Sequence, residues 1–115
     1  MRVTIYHNPR CSKSRAALDL LKGKGVQPEI VEYLKTPPSA EELDSILKML
    51  GKEPRDVMRK NEAEYQEKGL DDMTLSRSAL IDAMVKNPKL IERPIVVANG
   101  KAALGRPPEN VLDIV

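Results

Sequence analysis

An extended apolar run, a proline-marked turn, a helix and a second extended run succeed one another within the first 33 residues. That order restricts the fold more than any other feature of the chain. Val3-Thr4-Ile5-Tyr6 carries the β-branched and aromatic residues of a strand. His7-Asn8-Pro9-Arg10 reads as a loop, because Pro9 disfavours helical geometry at Asn8. From Ser14 to Lys24 the pattern is helical, with Ala16, Ala17, Leu18, Leu20 and Leu21 forming an apolar stripe. Gly23 and Gly25 end it, Gly25 being placed for a left-handed cap. Glu29 to Tyr33 is the second strand. Two strands joined through a helix within one sheet form a parallel pair with a right-handed crossover.

The segment Leu34-Lys35-Thr36-Pro37-Pro38 continues neither strand nor helix. Ser39 then caps a helix over Ala40–Leu50, with Glu42 as its capping-box partner and Leu43, Ile46, Leu47 and Leu50 as its buried face. Glu53 to Arg59 and Glu62 to Lys68 read as short turns of helix. Ser76 to Asn87 is a further capped helix whose Leu80, Ile81, Met84 and Val85 face inward. After this block, Pro94–Ala98 and Lys101–Gly105 flank Asn99-Gly100, the strongest short hairpin signal. A last helix runs through Asn110–Ile114. The expectation is an α/β fold in one domain, residues 1–115: β-α-β, a helical insertion at about 39–91, then β-β-α. The small mixed sheet is flanked by helices.

Charge excludes several functions. Lys and Arg number 19 against 17 Asp and Glu, so the net charge is only +2. The aromatics are Tyr6, Tyr33 and Tyr65, far apart, which is not the basic, aromatic-lined surface of a nucleic-acid binder. No window approaches the apolar length that spans a membrane. One cysteine permits no internal disulfide, and the chain passes directly into its first strand without a secretory leader, so the expected compartment is the cytoplasm. One His and one Cys cannot assemble a zinc site, and no glycine-rich phosphate loop is present.

Cys11 lies where the first strand's loop meets the helix. Helix N-terminal amides, with Arg10, Lys13 and Arg15 nearby, favour thiolate over thiol, and the thiolate is the nucleophile. His7 is either an acid/base that biases Cys11 or a turn residue bonded to backbone. Ser14 either donates to the thiolate or caps the helix, and capping is the expectation. Arg15 and Lys13 are expected to contribute field rather than contacts. Only three residues separate Cys11 from Arg15, too few for a phosphatase loop, and no Cys-x-x-Cys is present.

A cysteine at the first strand-to-helix junction and a proline opening the third strand give the layout of a thioredoxin-like fold, where that proline is cis. Pro94 holds the matching position. Four ordered segments are more specific. They are Tyr6-His7-Asn8-Pro9 leading to Cys11 and Ser14-Arg15; Tyr33-Leu34 with Pro37-Pro38; Arg59-Lys60-Asn61 with Tyr65 and Gly69-Leu70; and Arg93-Pro94-Ile95-Val96-Val97 with Gly105-Arg106-Pro107 and Val111-Leu112-Asp113-Ile114. On these the chain resembles the ArsC arsenate reductase family, in its glutaredoxin-linked branch.

The resemblance implies that Cys11 attacks arsenate held by Arg59, Arg93 and Arg106, with His7 supporting the cysteine and Asn8, Ser14, Arg15 and Pro94 shaping the site. Guanidinium suits this task, being permanently charged and planar with donors matched to an oxyanion's edges. No bound cofactor or metal is expected. Lacking a second cysteine, the enzyme would take electrons from glutathione, with glutaredoxin resolving the mixed species, and would act as a monomer. Ser12-Lys13 departs from the small neutral residues of better-known members. Two alternatives stay open: a glutathione-dependent monothiol oxidoreductase for another substrate, suggested by Cys11-Ser12-Lys13-Ser14, and a non-enzymatic regulator of the Spx kind that binds RNA polymerase.

Overall fold

The structure is a computed structural model that describes residues 2–115. It divides into two compact units, residues 2–36 with 93–115 and residues 37–92.

The first unit contains β1 (Val3–His7), α1 (Ser12–Gly23), β2 (Glu29–Glu32), β3 (Ile95–Ala98) and β4 (Lys101–Leu104). Its sheet has the order β2-β1-β3-β4, with β1 and β2 parallel and both β1–β3 and β3–β4 antiparallel. This is the mixed sheet of a thioredoxin-like fold. Alternation along β1 sends Val3, Ile5 and His7 to the buried face. Val3 and Ile5 join Ala17 and Leu21 of α1, Val96 and Ala98 of β3, and Val111 in one apolar cluster. Burying each large aliphatic side chain there contributes about 1.5–3 kcal/mol.

Local chemistry explains the element ends. Cys11 has extended geometry (φ −92°, ψ 122°) and is the N-cap of α1, which therefore starts two residues earlier than the sequence pattern suggests. At the other end Gly25 has φ +77° and donates to the Lys22 carbonyl, while Val26 donates to that of Leu21. These bonds satisfy carbonyls the helix leaves open. Asn99 and Gly100 have φ +56° and +71°, the left-handed pair a two-residue hairpin turn requires. After β4 the chain forms a 3-10 helix over Pro108–Ile114, where the sequence pattern suggests an ordinary helix.

The second unit is helical: α2 (Ala40–Leu50), α3 (Ala63–Glu67) and α4 (Arg77–Lys86), with 3-10 turns at Pro54–Val57 and Pro88–Leu90. The Ser39/Glu42 capping box forms, with Ser39 Oγ accepting the Glu42 N–H at 3.1 Å and Glu42 Oε1 accepting the Ser39 N–H at 3.2 Å. Leu43, Ile46 and Leu47 of α2 are buried, as are Leu80, Ile81 and Met84 of α4. Arg77 ties α4 to Asp44 of α2 at 2.9 Å. Arg55 donates to the carbonyls of Leu70 and Asp72, fastening the loop that precedes α4. Among the described residues no helix is long and apolar enough to cross a membrane.

Candidate active site

Every predicted site residue except Arg59 belongs to the first unit. The loop between β1 and α1 is fixed by its own polar groups. The Cys11 N–H donates to the Asn8 carbonyl at 3.0 Å, closing a turn, and Asn8 Oδ1 accepts the Arg10 N–H at 3.0 Å. Arg15 reaches back from α1 to the Pro9 carbonyl at 2.9 Å, so its guanidinium clamps the loop rather than acting through its field alone.

Ser14 does not cap the helix. It is fully buried, and its Oγ lies 2.6 Å from His7 Nδ1 while accepting the Asn8 N–H at 3.0 Å. Burial lowers the pKa of His7; Glu32 opposes the shift, and Arg15 and Lys22 reinforce it. A neutral ring with its proton on Nε2 lets the Ser14 hydroxyl donate to Nδ1, and this tautomer is assigned from the network. His7 thus acts on the Ser14 side chain. The tie joins the end of β1 to the first turn of α1, and it holds the backbone on both sides of Cys11.

Cys11 itself is a free, buried thiol. Burial pushes its pKa up, but four influences push it down: the Ser14 N–H, the Arg93 charge, the Lys13 N–H and a hydrogen bond from Arg93. The balance lies below an ordinary thiol. The amides act mainly by their dipoles, because no hydrogen bond of standard length caps α1 from the Cys11 side chain. The site therefore favours a thiolate next to a guanidinium.

Arg93 precedes β3 and Arg106 follows β4. Because Ile95 pairs with Leu104, the hairpin brings both arginines to the same end of the ribbon. Arg106 Nε donates to the Arg93 carbonyl at 2.9 Å, and Asn110 Nδ2 donates to the Arg106 carbonyl at 3.2 Å. Both arginines precede cis prolines, Pro94 as the layout suggests and Pro107 in addition. Pro94 is buried, and its carbonyl accepts the Gly105 N–H at 2.9 Å. A Cβ on Gly105 would stand 2.6 Å from Pro94 Cγ, so only glycine lets β4 leave the sheet this close to the proline.

Arg59 lies in the second unit. Its Nη1 meets Glu62 Oε1 at 2.6 Å, and its Nε lies 4.0 Å from Glu92 Oε1. Sequence reasoning gave no role of their own to three of these residues: Gly105, quoted only within a family segment, Asn110, and Glu62 as the partner of Arg59. The i, i+3 spacing of Arg59 and Glu62 was the available signal for the last. Gly105 and Asn110 act through contacts that carry no local pattern.

The ArsC family profile matches residues 6–114. The chain belongs to the ArsC family. Within it, the chain is 62% identical over 115 residues to the uncharacterized protein YfgD of Escherichia coli K12, covering 99% of this chain and 97% of that one. It is 53% identical over 110 residues to the arsenate reductase of Neisseria meningitidis serogroup A, covering 95% and 94%. Among solved structures, an arsenate reductase from Vibrio cholerae superposes with a TM-score of 0.96 at 54% identity, covering 100% of this chain and 98% of that one. The ArsC-family match runs from the end of β1 through the loop and helix that carry Cys11 and includes the hairpin that carries Arg93 and Arg106.

Proposed function

We propose that this chain is a cytoplasmic arsenate reductase in which the Cys11 thiolate attacks arsenate held by arginine. The observation that carries the reading is the placement of Cys11, the N-cap of α1, beside the Arg93 guanidinium, in a loop whose polar groups are spent on holding its shape. Arsenate is an anion, and a thiolate approaches it only if positive charge offsets the repulsion. Arg93 and Arg106, anchored at one end of the β3–β4 hairpin, are the proposed donors. Arg59 is the proposed third, and in binding the oxyanion it exchanges a carboxylate partner for another anion, so its charge remains compensated.

In the first step the sulfur–arsenic bond forms and one arsenate oxygen leaves as water, giving an enzyme thiol ester of arsenate with no change in oxidation state. A glutathione thiolate then attacks the Cys11 sulfur. The sulfur–arsenic bond breaks with its electron pair passing to arsenic, which is reduced from As(V) to As(III) and leaves as arsenite. The mixed disulfide between Cys11 and glutathione is the oxidised product. Glutaredoxin thiolate takes the glutathione and returns Cys11 as thiolate. Overall, two thiols become one disulfide as arsenate becomes arsenite and water. His7 is a positioning residue in this scheme, holding Ser14 and through it the first turn of α1.

The test is arsenite production from arsenate by purified protein with glutathione and glutaredoxin, beside Cys11→Ser. Turnover in the wild type that vanishes in the variant is expected. Absence of turnover with Cys11 still titrating below an ordinary thiol would overturn the assignment of arsenate while preserving the reactive thiol.

A further inference from the structure

Beside the Cys11 loop the first unit holds a concavity that does not include the cysteine. It is a cleft of about 340 Å³ lined by His7, Asn8, Pro9, Arg10, Glu32, Leu34 and Lys35. Ligand clefts start at about 300 Å³. One wall is the Pro9-Arg10 turn, and the other is the chain leaving β2. Its formal charges are two cations, Arg10 and Lys35, and one anion, Glu32. Glu32 is near enough to His7 for its charge to raise that ring's pKa against the effect of burial. Leu34 is an exposed large apolar side chain on the same rim.

We propose that this cleft is the binding subsite for glutathione, which rests on the reductase reading above. Glutathione carries two carboxylates and one ammonium, the mirror of two cations and one anion. Arg10 and Lys35 take the carboxylates, Glu32 takes the ammonium, and Leu34 and Pro9 cover the tripeptide's aliphatic stem. Lys35 and Glu32 face each other at 3.7 Å with side chains 80% and 45% exposed. Such a pair contributes little by itself and is readily exchanged for a ligand's charges. Reach is sufficient. The hydrogen-bonded turn keeps the Asn8 and Cys11 backbones within roughly 7 Å, and an extended tripeptide spans about 10 Å. A ligand anchored in the cleft can therefore bring its thiol to Cys11 from the β2 side, while Arg93 approaches from the β3 hairpin.

S-methylglutathione, which cannot react, is the probe, titrated at low salt by calorimetry and by amide chemical shifts. The wild type is expected to bind it saturably, with shifts at residues 7–10 and 32–35. Arg10→Ala combined with Lys35→Ala is expected to weaken binding at least tenfold. N-acetylating the ligand's ammonium is expected to weaken binding severalfold to the wild type and to leave Glu32→Gln unaffected. All the substituted side chains are at the surface, and amide spectra of the variants report that they fold. Equal affinity in the double variant, or no saturable binding to the wild type, overturns the subsite. Arsenate turnover driven by dithiothreitol tests the underlying reading separately. Turnover without S-methylglutathione binding overturns the subsite alone. Binding that obeys the charge pattern without any turnover supports the subsite and overturns the reductase reading.

Discussion

Replacing Gly105 by alanine tests whether the arginine-bearing hairpin is held by steric fit. The added methyl would lie 2.6 Å from Pro94 Cγ, 3.2 Å from Pro94 Cδ and 3.3 Å from Val111 Cγ1. Carbon atoms in contact prefer about 3.5–4.0 Å, so the first approach overlaps by roughly 1 Å. The proline ring has no rotamer by which to swing aside, and Pro94 is buried. Overpacking of this kind costs about 1–3 kcal/mol. The backbone of Gly105 lies outside the left-handed region, so alanine also restricts the unfolded chain, returning about 0.4–1 kcal/mol. An overlap of this size against a rigid ring belongs to the upper half of that range, about 2–3 kcal/mol, so the net loss is about 1–2.5 kcal/mol, a fall in melting temperature of roughly 4–10 °C for a domain of this size. Circular dichroism melts and urea titrations measure it, with Gly23→Ala as the control. Gly23 ends α1 with no atom within 4 Å of an added Cβ, and alanine there is expected to be neutral or stabilising. Because Pro94 adjoins Arg93, Gly105→Ala is also expected to move the Cys11 titration upward. A variant that melts at or above the wild-type temperature would refute the claim that Pro94 and β4 are held in rigid contact.

Other perturbations follow from the site. Arg93→Gln removes both a charge and a hydrogen bond that favour the thiolate, so the pH profile of Cys11 alkylation by iodoacetamide is expected to shift to higher pH. Ser14→Ala leaves the Asn8 N–H and His7 Nδ1 without their shared partner, and a buried unsatisfied group costs about 1–3 kcal/mol, measurable by urea unfolding. His7 is the one histidine of the chain and its pKa is lowered on folding. The unfolded state therefore takes its proton first as pH falls below about 6.5. Stability is expected to be insensitive to this group above that pH and to decline below it, and His7→Gln is expected to flatten the part of the pH 5–7.5 melting profile that comes from the ring. Arg59→Ala is expected to raise the KM for arsenate without moving the Cys11 titration, a split that steady-state kinetics and alkylation resolve together.

The parts of this molecule that local chemistry controls were readable from residues alone. Asn99-Gly100 forms its turn because those side chains tolerate positive φ, and Ser39 with Glu42 caps α2 because two short polar groups reach each other's amides. The β-α-β opening follows from a change of hydrophobic period at Pro9. What was hidden depends on contacts across the sequence. Ser14 looks like a capping residue, yet the helix starts before it, and its hydroxyl finds a partner on the preceding strand. Arg15 looks like one more surface charge until the loop folds back to give it the Pro9 carbonyl. The last helix tightens to 3-10 geometry over Pro108–Ile114, a choice the apolar pattern cannot distinguish from an ordinary helix.

The β3–β4 hairpin also offers a practical handle. Arg93 and Arg106 occupy its open end, whereas Asn99 and Gly100 form its exposed tip, and four residues of strand separate the two. At about 3.3 Å per residue that is roughly 13 Å of ribbon. A fluorophore attached at Lys101, or a short insertion at the tip, would ride on the element that carries the proposed anion donors while leaving them undisturbed. Titrating arsenate against such a label would test whether the ribbon transmits oxyanion binding to its tip, without an assay of arsenite.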